Sequence, residues 1–159
     1  MGIVIFGNKI LNSKTKEIKE ITKEIKEIAK ELKKEMIKNR GVGLAANQLG
    51  YDISMFVAQH KGKFYTIINP KIIKTSKEKI FLEEACLSIP NKFGLVERYK
   101  WVVVSGKMLN GKEKKIKASG ILSQIFQHEI DHLNGILYIQ KAKKIFEIEG
   151  DKIKEENSK

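Results

Sequence analysis

The sequence is poor in cysteine, proline and long apolar runs, and these shortages exclude several classes of protein. Cys86 is the only cysteine, so no disulfide can form within the chain and nothing indicates an oxidising compartment. No apolar run approaches the roughly 18 residues that a membrane span needs. The short apolar stretch at residues 3–6 does not make a secretory signal. We therefore expect a cytoplasmic protein without a membrane segment.

Arginine is also scarce, although the chain has a formal net charge of +12. Arg40 and Arg98 are the only arginines, and the other basic residues are lysines spread among glutamates. Sequence-specific recognition of nucleic-acid bases relies largely on arginine, whose guanidinium group can form two parallel hydrogen bonds to one base. We therefore do not expect sequence-specific binding of nucleic acid. A weak contact with an anionic partner, such as RNA or the ribosome, remains open.

Two segments have the periodicity of amphipathic helices. Apolar residues recur at steps of three and four over residues 13–39, which predicts a long N-terminal helix that ends at Gly41. A second helix is predicted between Ser119 and Gly135, and its apolar side includes Phe126 and Ile130.

Short β-rich runs separated by turn residues fill most of the chain between these helices. Strands are predicted at residues 53–58, 64–68, 80–87, 93–96, 101–109 and 114–117, with Asn69-Pro70 breaking the second one. The length of 159 residues fits one domain, 1–159, whose charged tail (about 141–159) has a weak helical pattern and is expected to be partly disordered. The predicted fold class is α+β, a mostly antiparallel sheet around a central helix.

The second predicted helix carries the sequence His128-Glu129-Ile130-Asp131-His132, which has the form H-E-x-x-H. Residues at i and i+4 lie one turn apart on the same helix face, so both imidazoles can reach one metal ion. Glu129 would point beside the ion, where it could move protons for a hydrolytic reaction. The surrounding helix is apolar, and buried imidazoles and carboxylates need partners.

A catalytic site of this kind takes three protein ligands, so one more is required. A downstream carboxylate such as Glu149 could serve, which would make the protein a metallopeptidase. Cys86 is the alternative, because thiolate is a strong ligand for soft and borderline metals.

Three segments in order favour Cys86, because together they resemble the motifs of the peptide deformylase family. They are Gly41-Val42-Gly43-Leu44-Ala45-Ala46-Asn47-Gln48, then Glu84-Ala85-Cys86-Leu87-Ser88, then Gln127-His128-Glu129-Ile130-Asp131-His132. The first and third match the family patterns in full. The second has Ala85 in place of a glycine. The resemblance extends over about residues 8 to 140.

The resemblance implies one divalent metal ion held by Cys86, His128 and His132. In many members this ion is Fe(II), and Zn(II), Ni(II) or Co(II) can occupy the site. It implies hydrolysis of the N-formyl group on the terminal methionine of nascent polypeptides, with release of formate. Glu129 would then be the proton carrier.

The same resemblance assigns roles around the substrate. The Gln48 amide and the Leu87 backbone N–H would donate to the developing oxyanion. Gly41 and Gly43 would let the peptide backbone lie close, and Ala85 would lie beside it. Glu84 and Arg98 resemble an ion pair that braces the cysteine strand, and Phe93 stands where many members have a basic residue that touches the distal part of the peptide.

Two other interpretations make different predictions. An H-E-x-x-H peptidase would bind its metal through Glu149 and not through Cys86. A basic RNA- or ribosome-binding domain with a structural metal would have a closed site with a fourth protein ligand.

Overall fold

The computed structural model describes residues 2–156, in which three α-helices and nine β-strands follow one another along the chain. The helices are α1 (Lys23–Lys38), α2 (Gly120–Leu133) and the short α3 (Tyr138–Lys141). The strands are β1 (Gly43–Ala45), β2 (Met55–His60), β3 (Lys63–Thr75), β4 (Lys79–Cys86), β5 (Ile89–Tyr99), β6 (Trp101–Lys107), β7 (Glu113–Ser119), β8 (Lys144–Glu149) and β9 (Lys152–Glu155). Short 3₁₀ turns lie at Lys9–Asn12 and Ala46–Leu49.

The strands form two antiparallel sheets, which confirms the predicted α+β class. The five-stranded sheet has the order β1-β2-β3-β6-β7, and the four-stranded sheet has the order β4-β5-β8-β9. Among residues 2–156, no helix is both long and apolar enough to cross a bilayer.

Helices α1 and α2 cover opposite faces of the five-stranded sheet. In β2, Phe56 and Ala58 belong to the same apolar cluster as Phe126 of α2. The intervening residues Met55 and Val57 belong to the cluster that includes the buried side of α1. Successive strand residues point to opposite faces, so β2, whose first four residues are buried, lies between two helices. This packing places α2 in the interior.

Helix α1 is shorter than its sequence predicts, because the chain before Thr22 is extended. The side chain of Asn69 accepts a hydrogen bond from the Ile18 backbone N–H at 2.9 Å and donates one to its carbonyl at 2.7 Å. These two bonds hold Ile18 out of the helix, although its side chain is buried in the same cluster as α1. The Thr22 hydroxyl then caps the helix by accepting from Ile25.

The predicted break at Asn69-Pro70 is wrong, since β3 continues through it to Thr75. The pairing with β6 shifts register between Ile68 and Lys71, and Asn69 has a φ of +51°. A bulge therefore accommodates the proline, which cannot donate to the ladder.

The weak helical pattern predicted for the tail is also wrong. Residues 144–155 form the hairpin of β8 and β9, and β8 pairs with β5. The expectation of partial disorder in the tail stays a prediction, and part of it falls on residues 157–159, outside the described part of the chain. Backbone pairing of β8 with β5 makes this part of the tail a strand instead of a helix.

Candidate metal centre and active-site cleft

Helix α2 presents both histidines of the H-E-x-x-H motif on one face, as the spacing predicts. The Nε2 atoms of His128 and His132 lie 3.1 Å apart. Both residues are buried. Two ring nitrogens this close in a buried site are suited to binding the same metal ion.

Cys86 ends β4 next to these nitrogens. Its Sγ atom lies 3.2 Å from His132 Nε2, and one donor atom from each of Cys86, His128 and His132 lies within 4.8 Å of the others. A turn at Leu87–Ser88 follows at once and reverses the chain into β5. The structure thus brings together three residues that stand far apart in sequence.

The donor set fits a transition-metal ion. Metal–ligand bonds of about 2.0 to 2.3 Å in a tetrahedral site place neighbouring ligand atoms about 3.3 to 3.6 Å apart. The separation of 3.1 Å between the two histidine Nε2 atoms and that of 3.2 Å between Cys86 Sγ and His132 Nε2 are a few tenths of an ångström shorter. One thiolate and two imidazoles are ligands that such ions accept. Among residues 2–156, no fourth His, Cys, Asp or Glu joins the cluster. Three protein ligands beside an open cleft are typical of catalytic rather than structural sites.

Glu149, the ligand that a metallopeptidase interpretation requires, is not part of this cluster. It lies exposed at the end of β8. The geometry therefore contradicts that interpretation and favours Cys86.

A buried ion-pair network orients the ligand His128. The Glu84 carboxylate accepts from Arg98 through two bonds of 2.6 and 2.7 Å, and its Oε1 lies 2.7 Å from His128 Nδ1. Burial opposes the charged form of Glu84, but the hydrogen bonds from Arg98 and His128 outweigh it and lower its pKa to about 2. A carboxylate on Nδ1 fixes the ring so that Nε2 faces the other donors. The predicted pair of Glu84 and Arg98 is confirmed.

Glu129 lies beside the cluster in a buried position. Its side chain is almost fully buried, and its Oε1 has no hydrogen-bond partner among the described residues. Burial raises its pKa to about 7, although the charge of His128 acts in the opposite direction. A carboxyl group that titrates near neutral pH is suited to accepting and returning a proton.

Gly43 leaves the space that Glu129 occupies. A Cβ atom on Gly43 would overlap the Glu129 carboxylate and lie 2.9 Å from its Cγ. Position 43 of the first motif therefore has to be glycine, because a side chain there would overlap Glu129.

Gln48 is held with its amide nitrogen towards the thiol. Its Oε1 accepts from the Ala45 N–H at 3.0 Å, while its Nε2 donates to Ser88 Oγ at 3.0 Å and lies 3.5 Å from Cys86 Sγ. The bond from Ala45 distinguishes the two ends of the amide, so the donor end faces the site.

A cleft of about 540 Å³ opens over the cluster. Gly41, Gly43, Gln48, Ala85 and Leu87, all singled out from the sequence, line it together with His128 and Glu129. Ala85 is not among the residues with positive φ, so its methyl group causes no backbone strain at this position.

Sequence reasoning missed two residues that support the site. Asp131 accepts from Arg98 at 2.7 Å, so Arg98 bridges β4 to α2. Asn47 donates to the carbonyl of His132 at 2.7 Å and ties the 3₁₀ turn to α2. Both lie inside the motifs, but a pattern alone does not say which partner a polar side chain meets.

Comparisons with known proteins agree with this geometry. The family model described as polypeptide deformylase matches residues 1–147. The chain belongs to the peptide deformylase family. The peptide deformylase of Halothermothrix orenii is 43% identical over 143 residues, which cover 89% of this chain and 92% of that protein. That of Borreliella burgdorferi is 42% identical over 141 residues, covering 87% and 86%.

Solved structures of peptide deformylases share the fold. The Thermotoga maritima enzyme superposes with a TM-score of 0.87 at 33% identity, covering 89% of this chain and 96% of that one. The Synechococcus elongatus enzyme, solved in complex with actinonin, also gives 0.87 at 33% identity, covering 90% and 79%. The family resemblance read from three short motifs therefore extends to the whole deformylase fold.

Proposed function

We propose that this chain hydrolyses the N-formyl group of formyl-methionyl peptides and releases formate. The observation that carries the proposal is the convergence of Cys86, His128 and His132 next to a buried Glu129 at the floor of an open cleft. A structural metal site, the alternative, would need a fourth protein ligand, and none joins the three donors among residues 2–156.

The ion in the cell is proposed to be Fe(II), with Zn(II), Ni(II) or Co(II) able to replace it, because a thiolate and two imidazoles bind several divalent ions. Cys86, His128 and His132 would hold it. When bound, such an ion polarises a carbonyl oxygen and lowers the pKa of water. Glu84 and Arg98 keep His128 in the tautomer that leaves Nε2 free.

Glu129 is proposed to carry the proton through the reaction. The oxygen of a water molecule forms a bond to the formyl carbon while Glu129 takes a proton from that water. The carbon–nitrogen bond then breaks, Glu129 returns the proton to the leaving amine, and formate departs. A pKa near 7 lets the same carboxyl group do both steps.

The oxygen that gains negative charge needs donors at a fixed place. Gln48 is proposed to supply one donor through its side-chain amide nitrogen. The amide oxygen is fixed by a hydrogen bond from the Ala45 N–H, and the nitrogen faces Cys86. Leu87 is proposed to add its backbone N–H, since it begins the turn directly after the thiol.

The peptide is proposed to bind as an added strand between two free sheet edges. Within the described sheets, β1 pairs only with β2 and β4 pairs only with β5, and residues of both strands line the cleft. Gly41 and Gly43 on one side and Ala85 on the other have side chains small enough for a backbone to approach.

The test is formate release from formyl-Met-Ala-Ser by protein loaded anaerobically with Fe(II) or Ni(II), with acetyl-Met-Ala-Ser as the control substrate. Anaerobic handling protects the thiolate from oxidation. We expect turnover of the formyl peptide alone. Fully loaded protein that releases no formate would refute the proposal.

A weak ribosome contact and a cytoplasmic location are further parts of the proposal. The net charge of +12, carried mostly by lysines, supports attraction to an RNA-rich surface. Absence of the protein from ribosome pellets at physiological salt would remove the ribosome contact.

A further inference from the structure

Gln48, the proposed oxyanion donor, and Ser88, which accepts a hydrogen bond from it, belong to different parts of the fold. Gln48 lies in the 3₁₀ turn after β1 of the five-stranded sheet, and Ser88 lies in the turn between β4 and β5 of the four-stranded sheet. Among residues 2–156, no strand of one sheet pairs with a strand of the other. The distance of 3.0 Å between Gln48 Nε2 and Ser88 Oγ therefore has to be maintained by contacts outside the two sheets.

The segment of residues 3–6 connects the two turns. The Val4 N–H donates to the Gln48 carbonyl at 2.7 Å, and the Phe6 N–H donates to the Ser88 carbonyl at 2.8 Å. The side chain of Ile3 packs against the apolar cluster of α1, and that of Val4 packs against the cluster that contains Cys86. This segment therefore holds the backbone of both turns and is itself anchored on both sides.

The Ser88 hydroxyl controls the direction in which the Gln48 amide points. An amide nitrogen carries two hydrogens, and the amide oxygen only accepts. The Ala45 N–H fixes the oxygen of Gln48, and Ser88 Oγ takes one hydrogen. The second hydrogen is left to face Cys86 Sγ, which lies 3.5 Å from the nitrogen. Ser88 is fully buried and Gln48 is 2% exposed, so removal of the hydroxyl would leave a buried donor without its acceptor.

We infer that Ser88 and the segment of residues 3–6 position the oxyanion donor. The Phe6 N–H holds the Ser88 backbone, and the Ser88 hydroxyl orients the Gln48 amide. The Val4 N–H holds the backbone of Gln48 itself. A donor that is fixed before the substrate arrives needs no reorganisation during the reaction. This inference rests on the proposed function, because it assigns positioning residues to the same site.

Two substitutions each remove one of these contacts. Ser88→Ala removes the hydroxyl, and Phe6→Pro removes the N–H donor. The backbone at Phe6 suits proline, because the Asn8 N–H donates to the Ile5 carbonyl at 3.3 Å and Gly7 has a φ of +106°. This is the pattern of a type II turn, which favours proline at its second position. Phe6→Ala is the matched control, since it removes the same side chain, which is 54% exposed, and keeps the N–H.

Each substitution is made in the wild type and in Gln48→Ala, and kcat and KM for formyl-Met-Ala-Ser are measured at full metal loading. Loss of an oxyanion donor costs about 10² to 10³ in kcat, and a misdirected donor loses part of that. We expect kcat to fall about 10- to 50-fold in Ser88→Ala and about three- to tenfold in Phe6→Pro, with KM changed less than about threefold. Phe6→Ala should keep kcat within about twofold of the wild type.

The Gln48→Ala background distinguishes positioning from a general structural effect. Residues that act through one side chain lose their effect when that side chain is absent, so Ser88→Ala and Phe6→Pro should then lower kcat by less than about twofold. Equal losses of kcat with and without the Gln48 side chain would overturn the inference. Equal activity of Phe6→Pro and Phe6→Ala would overturn the role of the segment of residues 3–6.

A measurement without turnover separates this inference from the proposed function. In zinc-loaded protein, the NMR signals of the Gln48 side-chain amide are identified by their loss in Gln48→Ala. Their exchange with water should be about tenfold faster in Ser88→Ala and Phe6→Pro than in the wild type and Phe6→Ala. Unchanged exchange would overturn the positioning role. Loaded wild type that shows the expected exchange pattern but releases no formate would instead refute the proposed reaction.

Discussion

Gly43→Ala should inactivate the enzyme without unfolding it. A Cβ on Gly43 meets the Cγ, the Cδ and an oxygen of Glu129, all closer than real Cβ contacts allow. Glu129 is 3% exposed and lies within α2, so its backbone is held by the helix and cannot move to make room. The added methyl group must displace the carboxylate or move β1 away from α2.

The expected size of the effect follows from this geometry. Relief of the overlap needs a shift of the order of 1 Å, and a misplacement of that size can cost about 100-fold in rate, or about 2.7 kcal/mol in the barrier. Overpacking of a buried site costs about 1 to 3 kcal/mol of unfolding free energy. We therefore expect kcat to fall about 100-fold in a protein that still folds and binds metal.

Gly41→Ala is the matched control for this substitution. The nearest atom to its added Cβ is Cδ1 of Leu87, the end of a side chain that can rotate, at 2.9 Å. We expect its kcat to stay within about fivefold of the wild type, while its KM for the peptide rises because Gly41 lines the cleft. Formate release, metal content and thermal unfolding would be measured on both variants. A Gly43→Ala protein with full metal content and kcat within threefold of the wild type would refute the steric argument.

The remaining predictions concern the proton carrier, the ligands and the buried ion pair. Glu129→Gln should lower kcat by about 10² to 10⁴ while metal analysis shows an unchanged metal content; loss of the metal would contradict the assigned role. Cys86→Ser should lose metal on dialysis and Glu149→Ala should keep it, because only the thiol lies in the donor cluster; the reverse result would favour a peptidase. Arg98→Gln should destabilise the fold by about 3 to 5 kcal/mol in denaturant titrations, since the carboxylate of Glu84 is left buried without its cation; a change below 1 kcal/mol would contradict this. Removal of metal by a chelator should lower Tm and abolish formate release, and added Fe(II) should restore both, because an ion that binds only the folded state stabilises it.

The sequence predicted the chemistry of the site better than the boundaries of the fold. Spacing alone placed His128 and His132 on one helix face, because the helical period fixes that neighbourhood locally. The start of α1 was misplaced, since two hydrogen bonds from Asn69, about fifty residues away, keep Ile18 extended. Local periodicity contains no information about such a partner.

The tail shows the same limitation at a larger scale. The apolar residues Ile145, Ile148 and Ile153 are compatible with a weak helix when read alone. Pairing of β8 with β5 on one side and with β9 on the other places these residues in a sheet, and Ile148 lines the cleft. A tertiary contact thus changed both the secondary structure and the expected composition of the site.

By itself, the sequence determined which groups are available for chemistry: a single thiol, an H-E-x-x-H helix, and small residues where a peptide backbone can approach. The tertiary structure confirmed that Cys86, which the motifs favoured, and not Glu149 meets the imidazoles. It alone decided that burial raises the pKa of Glu129 to about 7 and that Ile148 borders the cleft. The physical reason is that residue type and local spacing fix what a side chain can do. Distance, burial and charge partners depend on which distant segments pack together.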